Sequence, residues 1–293
     1  MTSLPAPARQ EEVRLRWQQD GRAFRQERHP GEIIVIDSWL VTDGRARRVD
    51  AHARRFGAAC ERRLSTPLDQ TWEFLRAAMG RIPASGRWFP RVEAAMADGV
   101  SRLQLWIRPA PPPSQSARLW LLPRPDARTQ PRVKGPDLAW LAAARDTAVT
   151  AGADEAVLLS ADGRVLEGTT TSILWWRGDA LCAPSADSVL PGITRSILTE
   201  AVAASGAPVA CENPRPRDLS GLEVWAVNAL HGIRPVTGWV GSDFSAGSAH
   251  RAARWQRYLE GIAADVTDYG TGYRTHNGKE RADDSSLVPG GKG

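Results

Sequence analysis

Apolar and polar positions alternate and cluster along this chain in a way that divides it into strands and helices. "EIIVIDSWLVTDGRARRV" (32–49) reads as two β-type runs broken by the turn signal Asp43-Gly44. "DAHARRFGAACERRL" (50–64) follows as an amphipathic helix, with Asp50 as N-cap and Phe56, Ala59 and Cys60 at helical spacing. A second helix is expected over "PLDQTWEFLRAAMGRI" (67–82). "VSRLQLWIRPAPPPSQSARLWLLPRP" (100–125) then reads as two strands around a proline-rich loop. After the linker-like "RPDARTQPRV" (124–133) comes the helix "PDLAWLAAARDTAVTAGA" (136–153), with Pro136 in its first turn and Gly152 as C-cap. "EAVLLS" and "VLEGTTTSILWW" are expected as strands joined by the turn "ADGR". "PGITRSILTEAVAASG" is a loop opening a helix, and "LEVWAVNALHGIRPVTGW" a strand, a turn and a strand. Strands mixed with helices on both sides of a linker predict an α/β (α+β) protein of two domains. Their expected bounds are 1–123 and 134–267, with the linker at 124–133 and a polar, glycine-rich, disordered tail over 268–293.

Composition narrows the class. A chain of 293 residues, 42% hydrophobic and 24% charged, can bury a sizeable core. No run approaches the roughly 18 apolar residues of a membrane span, and the first residues lack a signal-peptide core, so a cytoplasmic protein is expected. Three scattered cysteines suggest neither a disulfide framework nor a metal cluster, and no metal is expected. The net charge of +5 comes from arginines spread along the chain, with no nucleic-acid-binding motif, which favours small anionic partners over nucleic acid. The twelve tryptophans mostly flank apolar strands and read as packing residues.

Three short segments carry candidate chemistry. Lys134, in "RVKGPD", is one of only three lysines in the chain, and the other two, Lys279 and Lys292, lie in the tail. Arginine replaces lysine everywhere else, so a lysine in the folded part suggests a reason that a surface charge does not supply. A desolvated lysine amine can attack an aldehyde and form a Schiff base, which arginine cannot. In "LPGITR" (190–195) a glycine turn feeds a helix start, exposing the amides of Ile193 and Thr194 and the Thr194 hydroxyl as a seat for phosphate. Glu167, at a strand end before Gly168 and three threonines, is a carboxylate that could hold a proton on a ring nitrogen. Each pattern alone is common: an exposed lysine, a helix start, a hairpin edge.

Together, "VKGPDLAWLAAARDTAVTAGADEAVLLSADGRVLEGTTTSILWW", "LPGITR" and "VWAVNALHGIRPV" resemble the fold-type IV pyridoxal-phosphate enzymes. These are the class IV branched-chain and D-amino-acid aminotransferases and 4-amino-4-deoxychorismate lyase. The likeness covers residues 33–240 and is strongest from Lys134 onward. It implies a D-amino-acid aminotransferase-like fold with pyridoxal 5'-phosphate between two domains, and a homodimer whose partner chain completes the pocket. By the same resemblance Lys134 is the Schiff-base residue and general acid/base, and Glu167 contacts the pyridine nitrogen. Ile193 and Thr194 bind the phosphate, as does Arg55, the arginine of an "HxxR" pattern that begins at His52. Thr170 and Thr171 neighbour the ring and phosphate, and Asn228 and Ala229 are further cofactor-binding candidates.

Within the family, "NALHGIRPV", and Asp137 where the lyase has Asn, resemble 4-amino-4-deoxychorismate lyase, which forms 4-aminobenzoate and pyruvate. The alternative is an amino-acid aminotransferase of branched-chain or D-amino-acid type; a non-catalytic binder that keeps the fold is the third. The substrate is expected to be a small anion or an amino acid. Two departures stand out: the position of the aminotransferase tyrosine falls on Leu138 or Ala139, and the glycine-rich segment ahead of "DSWLVTDG" is short.

Overall fold

A computed structural model describes residues 12–268; the tail beyond lies outside the described residues. The chain opens with the strands β1 (Val13–Gln18), β2 (Ala23–Gln26) and β3 (Glu32–Ser38), then the short pair β4 (Val41–Thr42) and β5 (Arg45–Ala46). Helices α1 (Val49–Leu64) and α2 (Leu68–Met79) lead to β6 (Arg87–Trp88), β7 (Arg91–Ala97) and β8 (Val100–Ile107). β9 (Ala117–Leu121), α3 (Leu138–Thr150), β10 (Glu155–Leu159), β11 (Val165–Gly168), β12 (Ser172–Arg177) and β13 (Ala180–Ala183) follow. Next come α4 (Ile193–Ala204), β14 (Val209–Cys211), β15 (Val224–Asn228), β16 (Gly232–Val240), α5 (Ala252–Gly261) and β17 (Ala264–Asp265).

The strands form an antiparallel sheet ordered β2-β1-β8-β7-β3, a mixed sheet ordered β11-β10-β9-β16-β15-β12-β13-β14, and a small sheet β17-β5-β4-β6. β8 lies in the first sheet and β9 in the second, so the chain changes sheets within the proline-rich loop, ahead of the linker at 124–133. The first core packs α1 and α2 against one face of the five-stranded sheet, around Trp39, Phe56, Phe74 and Leu105. The second sheet is covered on both faces, which is why "SILWW" is apolar without alternation. Leu174 and Trp176 of β12 pack with α4 and α5, while Ile173 and Trp175 face a separate core with Leu119 and Val224. Eight of the twelve tryptophans are buried, as the packing reading anticipates.

Several elements differ from expectation. The N-terminal segment forms the β1–β2 hairpin, which the polar composition of the region conceals. Asp50 is not the N-cap of α1: the cap is Arg48, and Asp50 sits in the first turn, paired with Arg48 and Arg54. "VLEGTTTSILWW" is two strands, not one, because Thr169–Thr171 form a turn between β11 and β12. Asp43 and Gly44, at φ 47° and 72°, make the expected tight turn. No helix among the described residues is long and apolar enough to cross a membrane.

Candidate active site

The linker delivers Lys134 to β3. Its carbonyl accepts a hydrogen bond from the Ile36 amide at 2.7 Å. Gly135 allows this approach: at φ 151° a Cβ there would lie 2.9 Å from Val35 Cα and closer still to the Ile34 carbonyl oxygen. Burial and then Arg55 lower the Lys134 pKa, while Asp37 and Glu167 act in the opposite sense. These four charged residues come from β3, α1, the linker and β11, and they converge on one locus.

Glu167 is 5% exposed. Its Oε1 accepts from Arg128 Nη1 at 2.6 Å and from the Leu190 amide at 2.9 Å. Burial raises its pKa; Arg128, the Leu190 amide and Lys134 oppose that rise. The threonine turn is wrapped around a second carboxylate, the fully buried Glu155 of β10. Thr169 and Thr170 both donate their hydroxyls to it, and the Thr170 amide adds a bond of 3.1 Å. Gly168 is required there, since a Cβ would strike the Thr171 hydroxyl and come 2.9 Å from Glu155 Cγ. The Thr170 hydroxyl is therefore committed to Glu155. The Thr171 Oγ1 is buried and has no hydrogen-bond partner among the described residues.

Arg55 ties α1 to the start of α4. It grips the fully buried Asp37 through Nε and Nη2, each at 2.8 Å, and donates from Nη1 to the Pro191 carbonyl at 2.8 Å. His52 Nδ1 lies 2.7 Å from the same carboxylate. Two of the five guanidinium N–H groups remain for an anion. Beside them, α4 begins at Gly192 with no side-chain cap, leaving the amides of Ile193 and Thr194 unclaimed by such a cap. Trp39, Arg47, His52, Thr194 and Ala229 line a narrow crevice beside this turn, and the buried Trp39 Nε1 has no partner among the described residues. Asn228 shapes the β15–β16 turn, its Oδ1 accepting from the Leu230 and His231 amides at 3.1 and 2.8 Å; the Ala229 carbonyl accepts from Arg47. A wider surface depression around Arg177, Glu212 and Asp218 holds none of these residues.

Asp37, Arg128 and Glu155 were not anticipated as parts of the site. Asp37 carries a signal in the sequence, a lone carboxylate inside the apolar run "IIVIDSW". Arg128 carries none, being one arginine in a linker-like stretch. Asp137 accepts from the Thr129 and Gln130 amides and so fixes the linker next to Lys134. Leu138 and Ala139 offer no hydroxyl.

A half-buried lysine, a buried carboxylate and an arginine beside an uncapped helix start are groups that suit a phosphorylated aldehyde with a ring nitrogen. Residues 34–239 match the model of the class IV amino-transferases, and the chain belongs to that family. It is similar in structure to a hypothetical aminotransferase from Mycobacterium tuberculosis, with a TM-score of 0.72 and 21% identity over 87% of this chain and 99% of that one. A fold IV-transaminase from Curtobacterium pusillum gives a TM-score of 0.69 at 19% identity, over 85% and 97% of the two chains. A Legionella pneumophila protein provisionally named 4-amino-4-deoxychorismate lyase gives 0.66 at 20%, over 78% and 90%. No curated protein matches.

The family's cofactor is pyridoxal 5'-phosphate, and the Mycobacterium protein is known in forms bound to it and to its amine. The residues here fit that group. The uncapped α4 amides and the spare Arg55 N–H groups suit its phosphate, Lys134 its aldehyde, and Glu167 its ring nitrogen.

Proposed function

We propose that this chain is a pyridoxal-phosphate lyase that takes 4-amino-4-deoxychorismate to 4-aminobenzoate and pyruvate, with Lys134 as its central catalytic residue. The observation that carries this reading is a cationic wall beside Lys134. β7 and β8 turn their core-facing residues to α1 and α2, and their other face presents Arg91, Trp106 and Arg108, joined by Arg14 of β1. The Arg14, Arg91 and Arg108 guanidinium groups all lie 4.6 to 4.7 Å from the centre of the Trp106 ring. Burial and Arg91 together draw Arg108 down to about 10. The fully buried Glu93 pairs with both Arg91 and Arg14, and Glu12 acts on Arg108, so the three arginines keep a net positive charge. Arg91 also acts electrostatically on Lys134, and Ser38 and Ile36, next to the lysine, pair with Arg91 and Glu93. A wall of this charge suits a dicarboxylate.

The cofactor, when bound, withdraws electrons from the carbon that bears the substrate nitrogen. The chain's own residues do the rest. Arg55, Ile193 and Thr194 would hold the cofactor's phosphate, and Glu167 would keep a proton on its ring nitrogen. The arginine wall orients the two carboxylates. Lys134, its pKa lowered by burial and Arg55, is placed to take the proton from the substrate's amine-bearing carbon. The carbon–oxygen bond to the enolpyruvyl group then breaks, the ring becomes aromatic, and the departing enol takes up a proton to become pyruvate. The "NALHGIRPV" turn and Asp137 favour this branch over transamination.

The second reading is an amino-acid aminotransferase, favoured by the family itself and by the likeness to the Mycobacterium and Curtobacterium proteins. In either reading the enzyme is taken to be a cytoplasmic homodimer acting on a small anionic or amino-acid substrate. The test is direct: with 4-amino-4-deoxychorismate the purified enzyme releases pyruvate and 4-aminobenzoate in equal amounts. Conversion of the cofactor to its amine form by an amino acid, with no pyruvate from that substrate, supports the aminotransferase instead.

A further inference from the structure

Arg128 belongs by composition to the linker, yet its side chain is only 4% exposed. Each of its three nitrogens donates a hydrogen bond. Nε bonds both Asp126 oxygens at 3.0 Å, Nη2 bonds Asp126 Oδ2 at 2.8 Å and the Ser188 carbonyl at 3.3 Å, and Nη1 reaches Glu167 Oε1 at 2.6 Å. Asp126 thus clamps the arginine from behind, in the two-pronged geometry that suits a carboxylate. The Leu190 amide takes the same Oε1, so both contacts fall on one oxygen of Glu167. The other oxygen is left for a further donor.

We propose that Arg128 is a positioning residue of the active site: clamped by Asp126, it holds Glu167 as a charged carboxylate in a single orientation, with one oxygen reserved for the cofactor's ring nitrogen. This rests on the reading above that Glu167 meets that nitrogen. Physically, a carboxyl 5% exposed and without a cationic partner favours its neutral form, which cannot accept a proton-bearing nitrogen as a strong ion-pair partner. Arg128 opposes that tendency, and the Asp126 fork stops it from swinging away. The linker is therefore part of the site as well as a connection, since it brings Lys134 and Arg128, six residues apart, to the same ring.

The test compares the affinity of the apo-protein for pyridoxal phosphate with that for its benzenoid counterpart, which keeps the aldehyde and phosphate but has carbon in place of the ring nitrogen. Wild type, Glu167→Gln, Arg128→Gln and Arg128→Lys are titrated by absorbance, after circular dichroism and melting confirm folding. Arg128→Gln is expected to weaken binding of pyridoxal phosphate by roughly tenfold or more, the scale of one charge-assisted hydrogen bond, and to change the benzenoid analogue by less than about threefold. Arg128→Lys restores part of the difference and serves as the informative variant should the Gln variant not fold. Equal losses for both probes in Arg128→Gln, with no recovery in Arg128→Lys, would mean a purely structural arginine and would overturn the proposal. A Glu167→Gln variant that treats both probes alike overturns the ring-nitrogen reading itself. A Glu167→Gln that discriminates while neither Arg128 variant does overturns the Arg128 proposal alone.

Discussion

Replacing Asp37 with alanine removes the carboxylate on which Arg55 and His52 converge. Asp37 is fully buried and accepts from Arg55 Nε and Nη2 at 2.8 Å and from the Ser38 amide at 2.7 Å, with His52 Nδ1 also at 2.7 Å. Breaking one side of a buried ion pair costs about 3–5 kcal/mol. The Arg55 side chain keeps 14% of its exposure, so the lower end applies. At about 2–4 °C per kcal/mol for a chain of this size, the Asp37→Ala apo-protein is expected to melt roughly 6–12 °C lower. Burial alone would raise the Asp37 pKa, but Arg55 and His52 overcome it and hold the carboxyl well below the usual range. A depressed acid stabilises fully above its unfolded value, near about 3.9, and loses that contribution as pH falls through the folded value. Asp37's own contribution to the melting gap is therefore constant above about pH 5 and is lost only in acid, while His52, whose pKa Asp37 raises, adds a separate pH dependence. Cofactor affinity also falls in the variant, since Arg55 loses two of its three contacts beside α4. A variant that melts within about 1 °C of wild type would refute the buried-pair reasoning, and one that melts low but binds pyridoxal phosphate normally would refute the claim that Asp37 positions Arg55.

Two further outcomes follow from the geometry. Gly168→Ala puts a methyl against the Thr171 hydroxyl and Glu155, so we expect overpacking of about 1–3 kcal/mol, read by urea unfolding, with weaker cofactor binding; wild-type stability would contradict the packing described for the threonine turn. Arg108→Gln should raise KM for the dicarboxylic substrate about 10- to 100-fold, the loss of one charge-assisted contact, with a smaller change in kcat; an unchanged KM would remove the cationic wall from substrate binding.

The helices α1, α2 and α4 and the strands β9, β10, β12, β15 and β16 were legible because their burial imposes a period or a continuous apolar run, and α3 from its Pro136 and Gly152 end signals; the short β13 and β14 were not. The β1–β2 hairpin was not, since β2 is mostly exposed and offers little alternation. The break between β11 and β12 was hidden for a different reason. The three threonines have good strand propensity, and what turns them is Glu155, a residue from another strand that collects their donors. The site divides the same way. Lys134, Glu167, Arg55, Ile193 and Thr194 could be named from local patterns and family likeness. Arg128 and Asp37 work only through contacts 39 and 18 residues away in sequence, which no local pattern encodes.

The central claim is that Lys134 and its surroundings bind pyridoxal phosphate covalently, and an absorbance spectrum tests it most directly. Purified protein incubated with the cofactor is expected to show the near-visible band of lysine-bound pyridoxal phosphate, stable to gel filtration and absent from Lys134→Ala. No band in the wild-type protein, or an identical band in Lys134→Ala, would contradict the account.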